Sequence, residues 1–243
     1  MQPRAVTRPR TPPADFGHFA LLYAPVEWLS FGRALSRRRE RFLAHPQVAT
    51  AQRVLVLGDG DGRFTAALLR RNPAAQVTAL DVSDKMLAQL ERRVRAQTPN
   101  AQLELQCADV RCWPVPHANY DLVVSHFFFD CFTTEDVASV IERVAPALAP
   151  NALWLVSDFA VPNHPFWTPV AKLLLRVLYF TIGSLTGLEH RQLPDYQTSL
   201  KSAHFELTEA DTAFGGALRS EIWRAPRVLN SNTVGADFVA RSS

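Results

Sequence analysis

Five times in the middle of the chain a short, mostly apolar run stops at glycine, a carboxylate or a small polar residue. Val54–Leu57 runs into Gly58-Asp-Gly-Asp-Gly62, Gln76–Leu80 stops at Asp81, and Gln102–Gln106 at Cys107-Ala-Asp109. Tyr120–Ser125 leads to His126-Phe-Phe-Phe-Asp130, and Ala152–Val156 to Ser157-Asp158. Short apolar runs bounded by turn residues predict strands buried on both faces, as in a parallel sheet. Between them the apolar spacing becomes helical: Phe64 to Leu69, then Met86, Leu87 and Leu90 behind a Ser83 N-cap to about Ala96, then Thr134 to Leu148. Strands alternating with helices predict an α/β fold with helices on both faces of the sheet.

Outside this alternation, Trp28, Leu29, Phe31, Leu35 and Phe42 form the apolar side of a helix expected from about Pro25 to Ala44. Leu193-Pro-Asp-Tyr196 opens a short helix to about Ala203. Phe205–Ala213 and Ala217–Arg224, joined across Gly215-Gly216, predict a terminal antiparallel hairpin. The stretch Pro165–Leu188 is apolar for about the length of a membrane span. Lys172 and Arg176 fall at its centre, however, where charge is expensive in hydrocarbon, and Pro169 and Gly183 break its regularity. It reads as one or two helices forming a lid. A helix lying in the membrane interface with Lys172 and Arg176 snorkelling, and an ordinary helix packed on the sheet, are the alternatives.

The first strand-to-helix junction carries the clearest chemistry. Its alternating glycines permit positive φ and let a ligand approach bare backbone. The helix start behind them offers free N–H groups and a positive dipole end, suited to a carboxylate or phosphate. A dinucleotide fingerprint needs its third glycine three residues after the second, and Arg63 stands there. No Gly-Lys-Ser/Thr follows, so a phosphate-binding P-loop is excluded too. Asp81 lies where the next strand of a βαβ unit delivers an acid to a ribose hydroxyl pair.

Together these residues resemble the class I S-adenosylmethionine (SAM) dependent methyltransferases. Gly58, Gly60 and Gly62 match the family's first motif, Asp81 its ribose-binding acid, and Cys107-Ala-Asp109 the segment beside the adenine. Tyr120-Asp-Leu-Val-Val-Ser-His126 matches the strand flanking the methyl group. Leu148-Ala-Pro to Asp158-Phe is similar to the fifth strand of the quinone-biosynthesis (UbiE-like) branch. The resemblance covers residues 53–160. It implies a Rossmann-like three-layer sandwich, with a mostly parallel seven-stranded sheet and a C-terminal antiparallel hairpin. It implies SAM as cofactor, contacted by Gly58, Asp59, Gly60, Gly62, Asp81, Val82, Met86, Ala108, Asp109, Val110 and His126. The family's acid two residues before the first glycine is replaced by Val56, with Asp59 or Asp61 as candidates to compensate.

The implied reaction is in-line displacement of the methyl group by an acceptor nucleophile, which alignment of the partners accelerates. His126 and Asp130 are the candidate catalytic residues. His126 reads as a general base or as a contact to the adenine or methionine part of the cofactor. Asp130 reads as a proton acceptor or as a helix cap near Thr133. Phe127, Phe128 and Phe129 read as an apolar lip on the site or as strand-end core. As a lip, they and the aromatic 165–188 segment imply a hydrophobic or aromatic small-molecule acceptor, quinone-like or lipid-like. Tyr23 and Trp28 are candidates to cover the pocket. The competing reading is a regulatory or scaffold protein that binds SAM or its product without transfer, and Val56 favours it.

Length and composition adjust this picture only slightly. The 243 residues suit one domain with an insertion. Residues 1–14, rich in Pro and Arg, are expected to be disordered; 15–50 form a helical cover, 51–228 the methyltransferase domain with a lid at about 162–203, and 229–243 a tail. Hydrophobic content of 47% with 20% charged residues is that of a soluble protein. Cys107, Cys112 and Cys131 are odd in number and lack metal-ligand spacing; they suit a reducing compartment, and no metal is expected. The N-terminus lacks a signal peptide's apolar core, so a cytoplasmic protein is expected, with peripheral contact to the inner membrane face through the 165–188 segment. Net charge is +3, and residues 1–41 carry eight arginines against three acids, leaving the remainder slightly acidic. No aromatic-interleaved basic array accompanies that asymmetry, and no Asn-Pro-Pro-Tyr type motif follows the fourth strand. Nucleic acid is therefore not expected as a partner.

Overall fold

In the computed structural model, which describes residues 32–160 and 193–227, the five apolar runs pair side by side as parallel strands. They are β1 (Arg53–Leu57), β2 (Gln76–Asp81), β3 (Gln102–Cys107), β4 (Tyr120–His126) and β5 (Leu148–Phe159). An antiparallel hairpin, β6 (Glu206–Ala213) and β7 (Leu218–Arg224), completes a seven-stranded sheet of order β3-β2-β1-β4-β5-β7-β6. This is the expected fold class. The strand order reverses between β1 and β4, and such a reversal opens a crevice at the C-terminal strand ends.

Helices cover both faces. Val54 and Val56 of β1 pack with Phe64, Leu68 and Leu90 from α3 (Arg63–Arg71) and α4 (Asp84–Gln97). Leu55 and Leu57 point the other way, into Val137, Val140 and Ile141 of α5 (Thr134–Val144) and Leu200 of α6 (Tyr196–Ser202). None of these four β1 residues is more than 1% exposed, which is why the strand reads as a continuous apolar run. Two further helices, α1 (Gly32–Arg39) and α2 (Pro46–Ala49), precede the sheet. The hairpin is locked by Trp154 of β5 directly opposite Trp223 of β7, both fully buried. Each indole N–H finds an acceptor, Ser125 Oγ at 3.0 Å and Glu221 Oε2 at 2.8 Å, so neither ring buries an unpaired donor.

Three element boundaries differ from expectation, each for a local reason. Helix α5 starts with a Thr133–Asp136 capping box and stops at Val144, not Leu148; Pro146 offers no N–H to continue the α-helical ladder, and the chain tightens into a 3-10 turn over Ala145–Ala147. Strand β5 is longer at both ends than Ala152–Val156. It reaches back to Leu148, opposite Tyr120 of β4, and forward to Phe159, opposite Leu218 of β7, so Ser157 and Asp158 lie within the strand. The expected helix from Pro25 to Ala44 is, among the described residues, α1, and the chain leaves it in turns before α2. The carbonyl of Arg38 accepts from Ser157 Oγ at 3.2 Å and Ser220 Oγ at 3.3 Å, which fastens the end of α1 to β5 and β7. Arg38 and Arg41 also pair with Asp211 of β6 at 2.8 and 2.5 Å. Tyr23, Trp28, the 165–188 stretch and the C-terminal tail lie outside the described residues. Among the described residues no helix is long and apolar enough to cross a membrane.

Entry into α3 sets a stringent steric condition. Gly62 is the N-cap in the left-handed region at φ 78°, and a Cβ there would sit 2.6–2.8 Å from the side chain and Cα of Leu90. Gly60, at φ 58°, has nothing within 4 Å of the same position. Gly62→Ala is therefore expected to cost about 2–4 kcal/mol, left-handed strain plus overpacking against α4, and Gly60→Ala only about 1 kcal/mol. Urea denaturation of the two variants checks this, and equal losses would refute the packing argument.

Candidate active site

The crevice between β1 and β4 is built by the Gly58–Gly62 turn. Gly58 N–H continues the ladder by donating to Leu80 O at 2.9 Å, and the chain then turns into α3. Asp59, 7% exposed, folds its carboxylate back onto that helix start. It accepts from Phe64 N–H at 3.3 Å and from the N–H and hydroxyl of Thr65, both at 2.8 Å. Asp61 is bound by Arg63 at 3.0 Å and Arg93 at 2.7 Å. Both carboxylates are thus committed to the scaffold, and neither stands in for the acid replaced by Val56, which itself is core. Gly60 remains as bare backbone facing open space.

Asp81 ends β2 beside this turn, partly exposed. Its Oδ1 accepts from Ser83 N–H at 2.9 Å. Burial and the neighbouring Asp59 push its carboxyl up to about 6, against the pull of the Ser83, Gly60 and Val82 N–H groups. A carboxylate with oxygens to spare beside bare backbone suits a ligand rich in hydroxyls. Val82, next along, is 39% exposed. Met86 is buried in the first turn of α4, its N–H donating to the Ser83 hydroxyl. After β3, Ala108 is partly exposed, Val110 is buried, and the Asp109 carboxylate is gripped by Arg111, with Nη2 at 2.7 Å.

The segment after β4 departs most from expectation. His126 is 4% exposed, its ring edge-on to Phe64 at 4.7 Å, and Nδ1 has no hydrogen-bond partner among the described residues. Burial and the Arg39 guanidinium push the imidazole down to about 3, so it is neutral at physiological pH and a poor base. The general-base reading is therefore corrected; the cofactor-contact reading is not touched by this. The three phenylalanines are not one lip. Phe127, at φ 52°, turns into a small core with Leu35 and Leu218 and lies under the Arg39 guanidinium at 5.1 Å. Phe129 is fully buried, stacked on Tyr196 at 5.7 Å. Phe128 alone meets the glycine turn: its ring comes within 2.2–3.2 Å of where a Gly58 Cβ would be, and it packs on Phe132 at 5.0 Å. Asp130 occupies the turn after them, and the cap of α5 is Thr133, so Asp130 is not that helix's cap.

Residues 54–151 match a family model described as a methyltransferase domain. Over 83 residues the chain is 36% identical to malonyl-[acyl-carrier protein] O-methyltransferase of Paenibacillus sp. (strain JDR-2), covering 33% of this chain and 30% of that protein. A match of 188 residues at 28% identity joins 74% of this chain to 66% of trans-aconitate 2-methyltransferase of Mycobacterium tuberculosis (strain ATCC 25177 / H37Ra). The chain spans less than two thirds of the length of either relative. Among solved structures, N-methyltransferase NodS from Bradyrhizobium japonicum WM9 in complex with S-adenosyl-L-homocysteine shares the fold. Its TM-score is 0.57 at 16% identity, over 81% of this chain and 88% of that one. Residues 54–151 are thus similar to a methyltransferase domain, and the sheet has the fold of the methyltransferase structure.

The sequence pattern brought the glycine turn and Asp81 together at the C-terminal ends of β1 and β2. It missed Arg39, whose guanidinium from α1 acts on Asp59, His126 and Asp130, and Asp158, which sits beside the Asp130 turn. Arg39 carries no signal within an Arg-rich run, whereas Asp158 shares the strand-end position of the other acids. The burial of His126 generates a direct check: its ring carbon-bound protons, followed by NMR, are expected not to titrate between pH 5 and 8. The folded form binds its proton only near pH 3, below the ordinary 6.5, so this group costs stability as pH falls from 6.5 toward 3. A titration midpoint above 6 would restore the imidazole as a candidate base.

Proposed function

We propose that the protein transfers the methyl group of SAM to a small-molecule acceptor with an apolar or aromatic body. The observation that carries this reading is the open backbone at Gly60 beside the partly exposed Asp81 carboxylate, at the strand-order reversal of a methyltransferase domain. These residues fit the cofactor: a Cβ-free approach for its amino-acid part, a carboxylate for its ribose hydroxyls, and exposed Val82 with Ala108–Val110 as walls for its adenine. Bound SAM supplies an electrophilic methyl group on a sulfonium. The chain's own contribution is to hold the acceptor in line and to keep water out, and pre-alignment of this kind supplies much of the rate in displacement reactions. Phe128 and Phe132, partly exposed and joined to the glycine turn, favour an acceptor with an apolar face, quinone-like or lipid-like. A protein that binds SAM without transfer is not favoured, since the relatives described above are all named as methyltransferases.

A second reading has its own support. The acceptors in the relatives' names, a malonyl group and trans-aconitate, carry carboxylates, and Arg39 places a 6% exposed cation at this edge. On that reading the product is a methyl ester.

Titration calorimetry of the full chain with SAM, followed by label transfer from SAM to hydroquinones, long-chain alcohols, malonate and trans-aconitate, tests both. Saturable SAM binding is expected. Asp81→Asn is expected to weaken it by about 10–100-fold, the worth of a charged hydrogen bond. The same variant is expected to raise the melting temperature of the unliganded protein at pH 7.5. Asp81's folded value of about 6 lies above its ordinary 3.8, so its contribution is fully present below about 4 and is lost as pH rises through 6. SAM binding unaffected by the substitution would remove Asp81 from the site, and no binding at all would remove the cofactor.

A further inference from the structure

Four phenylalanines fall between residues 127 and 132, just after β4, and three of them are already engaged. Phe127 carries the Arg39 guanidinium over its ring at 5.1 Å, and Phe132 that of Arg111 at 6.0 Å. Phe129 is fully buried against Trp154 at 6.0 Å and Tyr196 at 5.7 Å. Phe128 is partly exposed, and among the described residues no guanidinium is laid over its ring. Its position is nevertheless set from several sides. A Cβ on Gly58 would overlap the ring, so Phe128 fills the space that the glycine leaves open. Phe132 meets it in a T-shaped contact at 5.0 Å, and Phe129 lies at 6.0 Å. The Phe128 carbonyl accepts from Cys131 N–H at 3.2 Å, which closes the tight turn over Phe129–Cys131.

We propose that Phe128 recognises the sulfonium of the methyl donor, its ring face distinguishing the charged donor from the neutral thioether product. The inference rests on the methyl-transfer reading above. A trialkylsulfonium has no N–H or O–H to donate, and its positive charge is spread over the carbon groups on sulfur. It is held as a quaternary ammonium is held, by the negative face of an aromatic ring rather than by a single hydrogen-bond acceptor. The carboxylates of the glycine turn offer no alternative. Asp59 is spent on the start of α3, Asp61 on Arg63 and Arg93, and Val56 stands where the resembling family has an acid.

The neighbouring rings show that this segment places cations on aromatic faces, and Phe128 is the ring left open, at the mouth of the crevice between β1 and β4. A cation on a partly desolvated ring gains about 3–30-fold in affinity. The thioether product keeps only dispersion contact with the same ring. Because Gly58, Phe132 and the tight turn fix the ring beforehand, little is lost in ordering it on binding. In an in-line transfer the sulfur and the acceptor atom lie on opposite sides of one methyl carbon. A ring beside that carbon borders both, so the apolar contact to the acceptor proposed above stands with this one. Gly58 then has a role of its own: its missing Cβ makes room for the ring.

The test has two arms on the full chain. The first needs no ligand: urea midpoints are measured for Gly58→Ala in the wild-type chain and in a Phe128→Ala background. Left-handed strain at φ 66° is common to both, so a larger fall in the wild-type chain isolates the overlap with the ring. Equal falls overturn the seating of Phe128 on Gly58, and the proposal with it. The second arm is titration calorimetry with SAM and with S-adenosylhomocysteine. Phe128→Leu and Phe128→Met keep apolar bulk without an aromatic face. Both are expected to bind SAM about 3–30-fold more weakly than wild type and S-adenosylhomocysteine within about twofold of it. Phe128→Tyr, which keeps the ring, is expected to retain the wild-type ratio of the two affinities. Equal losses for both ligands, the result of a ring that merely fills space, overturn the proposal while leaving the methyltransferase reading intact, and so does an unchanged SAM affinity in Phe128→Leu. A wild-type chain that binds neither ligand would instead strike the reading beneath it.

Discussion

The Asp59 carboxylate clamped on the start of α3 is the constraint on which the site depends. A strand that must turn into a helix within a few residues leaves several N–H groups unsatisfied at the helix start. Here a buried anion takes three donors there, and the helix dipole favours its charge. With that carboxylate anchored and Gly62 wedged against Leu90, the turn between them is held in one shape. Gly60 is left at its apex with open space where a side chain would stand. The site is thus organised by its own backbone before anything binds, and the acid missing at Val56 is not needed for that purpose, since Val56 serves the core.

Electrostatics across the strand ends follow from the same economy. Asp59, Asp81, Asp130 and Asp158 gather along the C-terminal edge, each held above the ordinary carboxylate range by burial. Arg39 is the cation set among them. Such an edge is uncomfortable alone and is relieved by a positively charged ligand. On the proposed reading that ligand is a sulfonium whose charge methyl transfer removes, so the same carboxylates would favour the methyl donor over its thioether product.

Much of this was legible because buried parallel strands announce themselves twice, by an unbroken apolar run and by the polar residue that ends it. Asp81 was readable at its strand end for that reason, as was the sheet with its terminal hairpin. What periodicity could not convey was direction at irregular backbone. Phe127, Phe128 and Phe129 are identical in sequence, but the positive φ at Phe127 and the tight turn from Phe129 to Cys131 send them to three different environments. Asp59 and Asp61, two residues apart in a glycine turn, were equally ambiguous; the spacing of Thr65 and Arg93 from them decides their roles only once the helices are placed. His126 reads as a base by residue type, and only the enclosure by Phe64 and Arg39 removes that role.

The N-terminal helix ties these parts into one electrostatic unit. The hydroxyls of Ser157 and Ser220, 3.0 Å apart, both lie within hydrogen-bond reach of the carbonyl of Arg38. Ser157 neighbours Asp158 and, in register, His126, so the strand positions that shape the site are the ones that hold α1 in place. Because the next residue of α1 is Arg39, fixing the Arg38 carbonyl also fixes where a buried positive charge stands relative to Asp59, His126 and Asp130. That placement lowers the proton affinity of the His126 imidazole and of Asp130 at once. The helix before the sheet therefore shapes the electrostatics of the strand ends through a charge whose position is set by two serines.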